Sequence, residues 1–290
     1  MGWRTVVISE RAKLEYSMGY MVVRGRETKR LFLDDVQTVI LETPAVSMTG
    51  VWLNECTARK IKVIFCDEKH NPSSELVPCY GNSNSPKRIK EQVEWSPLIC
   101  DLVWKSIIER KVSNQSLILK EKGFAEQADL LAAYAKNVET GDISNREGHA
   151  AKVYFNRIFY DGFTREKDCF ENACLDYGYS IILSQFNRAV CSSGYLTQLG
   201  IHHKNEFNEF NLSCDLMEPF RFIVDRKALS LKEGMDFKTE MISLLGEEYS
   251  QLDKKQSLVN AIAIYCNSIF TALNNGDVSK IAFIDYGTKE

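Results

Sequence analysis

The hydrophobic period of this 290-residue chain changes once, and that change limits the folds open to it. Up to about residue 80, apolar residues come in short runs bounded by turn formers. Tyr20-Met21-Val22-Val23 precedes Arg24-Gly25-Arg26, and Thr28–Leu33, Val36–Leu41 and Lys62–Cys66 follow. Such runs, rich in Val, Ile, Leu and Phe, read as strands. One helix interrupts them: Ser47-Met48-Thr49 offers a cap to Val51–Arg59, where Val51, Leu53, Asn54 and Ala58 recur at helical spacing. Strand, helix, strand from Val39 to Phe65 predicts a helix packed on a small sheet. Gly81-Asn82-Ser83-Asn84-Ser85-Pro86 is polar and ends in Pro, so it reads as a linker. Beyond it the period lengthens to about 3.6. Lys87–Lys122 carries Leu98, Leu102, Trp104, Ile107 and Ile108 as apolar anchors. Further helices are expected at Glu126–Val138, Glu147–Phe159, Glu171–Cys191 and Ser257–Asn274. The fold class expected is α+β: a small β-rich domain over residues 1–80, a linker over 81–87, and a larger all-α-helical domain over 88–290.

Charge and composition exclude several classes. Apolar content of 44% and charged content of 26% fit a soluble globular protein. The apolar runs are short, Ile61–Cys66 being broken by Lys62, and fall far below the roughly 18 residues of a membrane span. The opening residues lack the basic-then-apolar layout of a signal peptide, and Thr5 sits one place short of a myristoylation hydroxyl. A cytoplasmic protein with no membrane partner is expected. The nine Cys are an odd number without C-x-x-C, and Cys169 and Cys174 do not share a helix face. They read as reduced core residues. Net charge is −3, unlike a strongly basic nucleic-acid binder. Residues 1–146 carry 21 basic and 19 acidic side chains, and 147–290 carry 15 and 20. Any nucleic-acid surface must therefore be a local patch.

Three segments concentrate reactive side chains: Ser144–Ala151 with Glu147, Leu199–Asn205 with His202 and His203, and Asp215–Phe220 with Glu218. Each has an ordinary reading. Ser144-x-x-Glu147 is a capping box. Adjacent His side chains do not share a face, so the pair suits one ligand and one neighbour acting through hydrogen bonds. Asp215 and Glu218 lie one turn apart before Pro219, as on a solvated helix end. Together, a carboxylate, an imidazole and a second carboxylate suit Mg²⁺ or Mn²⁺, and phosphodiester chemistry uses such an ion.

At these segments the chain resembles the CRISPR-associated Cas1 family of integrases and endonucleases. The resemblance runs through Phe32–Glu42, Ile61–Pro72, Arg146-Glu147-Gly148 and Asp176-Tyr177-Gly178-Tyr179. It continues through Gly200-Ile201-His202-His203, Asp215–Arg221 and Val224-Asp225. The GIHHKNEFN segment is similar to the type II variant. The resemblance implies a metal site at Glu147, His203 and Glu218, serving catalysis with Mg²⁺ or Mn²⁺. It implies a β domain that dimerises and a helical catalytic domain. Implied partners are double-stranded DNA (prespacer and repeat-leader), a second copy of the chain, and a Cas2 dimer in a heterohexamer. Cas9 and other type II adaptation proteins are further candidates. The reaction implied is attack by a fragment's 3′-hydroxyl on a phosphodiester of the CRISPR array, by transesterification.

Cations expected to grip DNA are Arg59, Lys60 and Lys62, then Lys87, Arg88 and Lys90, then Arg146, Lys152 and Arg157, with Lys204 beside the ligands. Two alternatives stay open on the residues alone: a metal-dependent phosphodiester hydrolase, and a non-catalytic DNA scaffold.

Overall fold

The structure, a computed structural model, describes residue 2, residues 4–78 and residues 84–285. The fold is α+β. The chain divides into two compact units, Met1–Ser83 and Asn84–Glu290. Of the segment expected to link them, residues 81–83 lie outside the described residues. Ser85, Pro86 and Lys87 instead open the first helix of the second unit. Pro suits a first turn, where its missing N–H leaves nothing unpaired.

The first unit contains β1 (Arg4–Ile8), β2 (Ala12–Ser17), β3 (Tyr20–Arg24), β4 (Thr28–Phe32), β5 (Val36–Leu41), β6 (Val46–Met48), α1 (Gly50–Ala58), β7 (Lys62–Cys66) and β8 (Pro72–Glu75). They form two four-stranded sheets, ordered β1-β5-β7-β8 and β4-β3-β2-β6. β1, β5 and β7 run parallel. Parallel neighbours need a crossover, and α1 lies in the one between β5 and β7. Every residue of β5 is buried, as in the middle of a covered parallel sheet. Thr49 caps α1, its hydroxyl accepting from Trp52 N at 3.3 Å. Trp52 and Cys56 then enter a core shared with Leu14, Met21, Val39 and Val63.

The second unit contains α2 (Ser85–Glu94), α3 (Pro97–Glu121), α4 (Ala125–Lys136), α5 (Arg146–Ile158), α6 (Phe170–Ser192), α7 (Asn211–Met217), α8 (Arg221–Ala228), α9 (Phe237–Ser243), β9 (Glu248–Gln251), β10 (Lys254–Ser257) and α10 (Leu258–Asn275). A 3₁₀ turn, Glu218–Phe220, joins α7 to α8. The expectation of an all-helical unit is thus corrected by one antiparallel hairpin, β9–β10. Its two-residue turn places Leu252 and Asp253 at φ of 50° and 59°, the backbone of the hairpin turn that usually carries Asn-Gly.

α3 is the axis of this unit. Ser96 caps it, accepting from Ile99 N at 3.3 Å. Trp104, Ile107, Ile108, Val112, Ile118 and Leu119 are fully buried along it. Each contributes about 1.5–3 kcal/mol by leaving water. Lys111, Asn114 and Gln115 are buried on the same helix. Burial of an ammonium is costly unless its charge is met, so Lys111 marks where α3 must face anions.

Candidate metal centre

Glu147 enters from the first turn of α5. The approach runs through left-handed backbone at Gly141 (φ 71°), Asp142 (φ 51°) and Asn145 (φ 49°). Asp and Asn tolerate this region because their short polar side chains bond locally. Buried Asp142 accepts from Arg146 N at 2.8 Å and from Glu147 N at 3.0 Å. Asn145 accepts from Gly148 N at 3.2 Å. The expected Ser144–Glu147 capping box does not form. Ser144 Oγ is buried without a hydrogen-bond partner among the described residues. Asp142 and Asn145 do the capping, and this frees the Glu147 carboxylate. Its Oε1 accepts from Lys111 Nζ at 2.5 Å.

His203 comes from the loop between α6 and α7. Buried Gln92 pins the base of that loop, donating to Leu196 O and Leu199 O at 2.9 Å each and accepting from Leu196 N at 2.9 Å. Asp215, fully buried in α7, organises the rest. It accepts from the backbone N–H of Ile201 (2.7 Å), His202 (2.9 Å) and His203 (3.2 Å). It also sits 2.5 Å from His203 Nδ1. Gly200 lets this wrap close. A Cβ there would stand 2.4 Å from His203 O and 2.7 Å from Asp215 Oδ2. His202 has a different duty, stacking on buried Trp104 with ring centroids 4.1 Å apart. Trp104 also meets the His203 ring edge-on at 5.6 Å. With Nδ1 committed to Asp215, His203 keeps Nε2 for a ligand.

Glu218, only 4% exposed, leads the 3₁₀ turn. Its Oε1 is 2.9 Å from both Nε and a terminal nitrogen of Arg221. Its Oε2 lies 2.6 Å from Lys111 Nζ, yet it is buried and takes no hydrogen bond of proper direction. Asn114 holds the turn to α3, donating to Pro219 O at 3.0 Å.

These contacts bring Glu147 and Glu218 onto Lys111, with His203 near enough to feel both carboxylates' charge. Burial alone would raise the Glu218 carboxyl, but Arg221 and Lys111 outweigh it and hold the carboxyl below its ordinary value. Lys111 follows the same logic with opposite sign: burial favours the neutral amine, while Glu218 and Glu147 hold it charged. His203 is raised, mainly by its bond to Asp215 and then by the nearby charges of Asp215, Glu218 and Glu147.

Among the described residues, no three His, Cys, Asp or Glu side chains stand in a metal-holding arrangement. Lys111 occupies the place between the two carboxylates. The donor set still fits a hard divalent ion. Two carboxylates from separate segments converge on one cation, and an imidazole oriented by Asp215 lies within reach of their charge.

Arg221 extends the network inward. Its guanidinium lies 4.6 Å from the Tyr179 ring centroid. The Tyr179 hydroxyl donates to buried Asp225, and the Tyr154 hydroxyl donates to the other Asp225 oxygen at 2.9 Å. Burial pushes the Asp225 carboxyl up to about 6, against the lowering effect of both tyrosines. The folded value exceeds the unfolded one, so the folded state holds this proton more tightly. That contribution is full below about pH 4 and is lost as pH rises through about 6. Relative to Asp225→Asn, the wild type is expected to lose about 3 kcal/mol over that window. Denaturant melts from pH 4 to 7 check this, and a constant difference between the two proteins would refute it.

Sequence reasoning missed Lys111, Arg221 and Asp142, and took Asp215 only as an acidic neighbour. A lysine seven residues after Trp104, in register with Ile107 and Ile108, was the available signal for Lys111. Of the cations expected to grip DNA, Lys62 is withdrawn by its burial, and several of the others carry an ion-pair or ring partner on the surface. Lys62 is 3% exposed and paired with Glu75 on the adjacent strand β8. Arg59 pairs with Asp34 and Glu55. Lys87, Arg88 and Lys90 meet Glu91 or Glu94 along α2. Arg146 lies over the Tyr134 ring, 5.1 Å from its centroid. Lys204, next to His203 in the chain, is exposed.

The family model described as CRISPR associated protein Cas1 matches residues 5–255. A CRISPR-associated endonuclease Cas1 of Neisseria meningitidis serogroup C (strain 8013) is 29% identical over 242 residues, covering 83% of this chain and 80% of the relative. Among solved structures, a casposase bound to integration product superposes with a TM-score of 0.77 at 16% identity, covering 96% of this chain and 92% of that one. A chain of a Cas6-RT-Cas1–Cas2 complex superposes with a TM-score of 0.75 at 17% identity. This chain is spanned to 99% and spans 36% of that longer one. Among the described residues, no helix is long and apolar enough to cross a membrane.

Proposed function

We propose, from the premise that this chain belongs to the CRISPR-associated Cas1 family, that it inserts short DNA fragments into a CRISPR array by metal-dependent transesterification at Glu147, His203 and Glu218. The observation that carries this reading is the convergence of Glu147 and Glu218, from different helical segments, on a single cation. The likeness of fold to a casposase bound to integration product agrees with it.

A Mg²⁺ or Mn²⁺ held by these three residues would supply a Lewis acid for a 3′-hydroxyl and for charge on the phosphate. The chain's own residues set the conditions. Asp215 fixes the imidazole so that Nε2, not Nδ1, faces the site. Arg221, together with Lys111, keeps Glu218 ionised, and the two Arg221 contacts fall on Oε1, so Oε2 is the oxygen that faces Lys111. In the joining step one P–O bond forms as one breaks, so no ATP and no covalent protein intermediate is needed. Lys204 and Arg146 flank the ligands and would meet phosphates. The partners we infer are a second copy of the chain, a Cas2 dimer, prespacer and repeat-leader DNA, and Cas9 with other type II adaptation proteins. The compartment is cytoplasmic.

The test is the product. The protein, Cas2, a labelled short duplex and a repeat-bearing plasmid are mixed with Mn²⁺ or Mg²⁺. Label joined to plasmid, and lost on adding chelator, is the expected result. Cut strands without joining would favour a phosphodiester hydrolase. No product under any condition would reject both.

A further inference from the structure

We propose that Lys111 is the resident counter-ion of the metal-free centre: a positioning residue that holds Glu147 and Glu218 face to face and that a divalent ion must displace to bind. The inference rests on the reading of Glu147, His203 and Glu218 as ligands.

Lys111 Nζ is 2.5 Å from Glu147 Oε1 and 2.6 Å from Glu218 Oε2. Hard divalent ions take carboxylate oxygens at roughly 2.0–2.6 Å. An ion and this ammonium would therefore contest the same lone pairs. Charge counting agrees. Lys111 and Arg221 already balance Glu147 and Glu218, and even with the Asp215 carboxylate counted, an added dication leaves the pocket net positive unless one cation withdraws. Arg221 is the fixed one, clamped to Glu218 Oε1 and lying over the Tyr179 ring. Lys111 is the movable one. It is a point charge on a flexible four-carbon stem, with no planar fork to lock it. It also has an exit, because its side chain is 10% exposed and lies against Glu147, which is 24% exposed. Without a metal, the ammonium keeps two carboxylates from repelling one another. With a metal, that service is redundant. The arrangement thus trades metal affinity for a folded metal-free state.

Mn²⁺ titration calorimetry on the full chain tests this, alongside thermal melts with and without Mn²⁺. The variants are Lys111→Met, Lys111→Gln (which keeps N–H donors without the charge), Lys111→Arg and, as a site control, Glu147→Gln. Both neutral variants are expected to bind Mn²⁺ at least about tenfold more tightly than wild type, roughly 1.4 kcal/mol. Both should melt lower than wild type without metal and recover with it. Lys111→Arg should keep metal-free stability and bind no more tightly than wild type. If wild type binds Mn²⁺ and loses it in Glu147→Gln, but the neutral variants bind no more tightly, Lys111 is not the competitor and only this inference falls. If both neutral variants stay unfolded even in saturating Mn²⁺, the inference also falls, because a bound ion should make the ammonium dispensable. If wild type shows no Mn²⁺ binding that depends on Glu147, the ligand assignment itself fails and takes this inference with it.

Discussion

Replacing Glu218 with Ala is expected to reduce strand joining about a thousandfold or more and to destabilise the metal-free protein by about 3–5 kcal/mol. The two effects have separate causes. Joining falls because one of two carboxylates converging on the cation is gone, and with it the charge that would hold a metal. Stability falls because the buried Lys111 and the half-buried Arg221 are left facing each other's charge without the carboxylate between them. Both arginine and lysine gain their favourable environment from Glu218, and the remaining Glu147 touches only Lys111. Breaking one partner out of a buried ionic cluster is far more costly than never having built it. Glu218→Gln separates the effects: it keeps the shape and an acceptor for Arg221, so it should melt closer to wild type while joining stays lost. Single-turnover joining and urea melts of the two variants make the comparison. Wild-type joining by Glu218→Ala would remove Glu218 from the site.

Asp215→Ala should be nearly as severe while touching no ligand position. One carboxylate satisfies three consecutive backbone N–H groups and orients His203. Without it the buried Ile201 N–H is unpaired, at about 1–3 kcal/mol, and the part-buried N–H groups of His202 and His203 lose their partner as well. The loop cannot easily relax, because Gly200 is already in closer contact than any Cβ would allow. Hydrogen exchange at Ile201, His202 and His203 should rise sharply, and Mn²⁺ affinity should fall by about 10–100-fold, as for loss of a residue that orients a metal-ligating His. Exchange rates equal to wild type would show that Asp215 is not the anchor.

The sequence made some of this legible and hid the rest for physical reasons. β3, β5 and β7 were readable because consecutive apolar residues announced buried strands. β2 alternates as a half-buried strand should, Ala12 and Leu14 inward and Lys13 outward, but the signal is short and set among charges. β9 and β10 are mostly polar, and their turn is built from Leu-Asp, where turn chemistry usually announces itself with Gly or Asn. α5 and α10 were visible in their period, whereas α3 and α6, buried on several sides, show little one-sided pattern. At the centre, Glu147, His203 and Glu218 were reached through resemblance, and the structure brings the two carboxylates onto one lysine. Their supporting residues were not reached, since which backbone groups Asp215 receives depends on a loop shape that spacing does not encode. Ser144 drew attention as a cap, while a left-handed turn moved that task to Asp142 and Asn145.

α3 carries a consequence for when this centre can exist at all. Trp104 braces the two histidines, Lys111 joins Glu147 to Glu218, and Asn114 ties down the turn that bears Glu218. One helix, made early in synthesis, is thus a template onto which three later segments must dock. Until residues through Arg221 have left the ribosome and packed on it, there is no pair of carboxylates to share a cation. A growing or misfolded chain carries Glu147, His203 and Glu218 in its sequence and has no assembled centre with which to damage DNA.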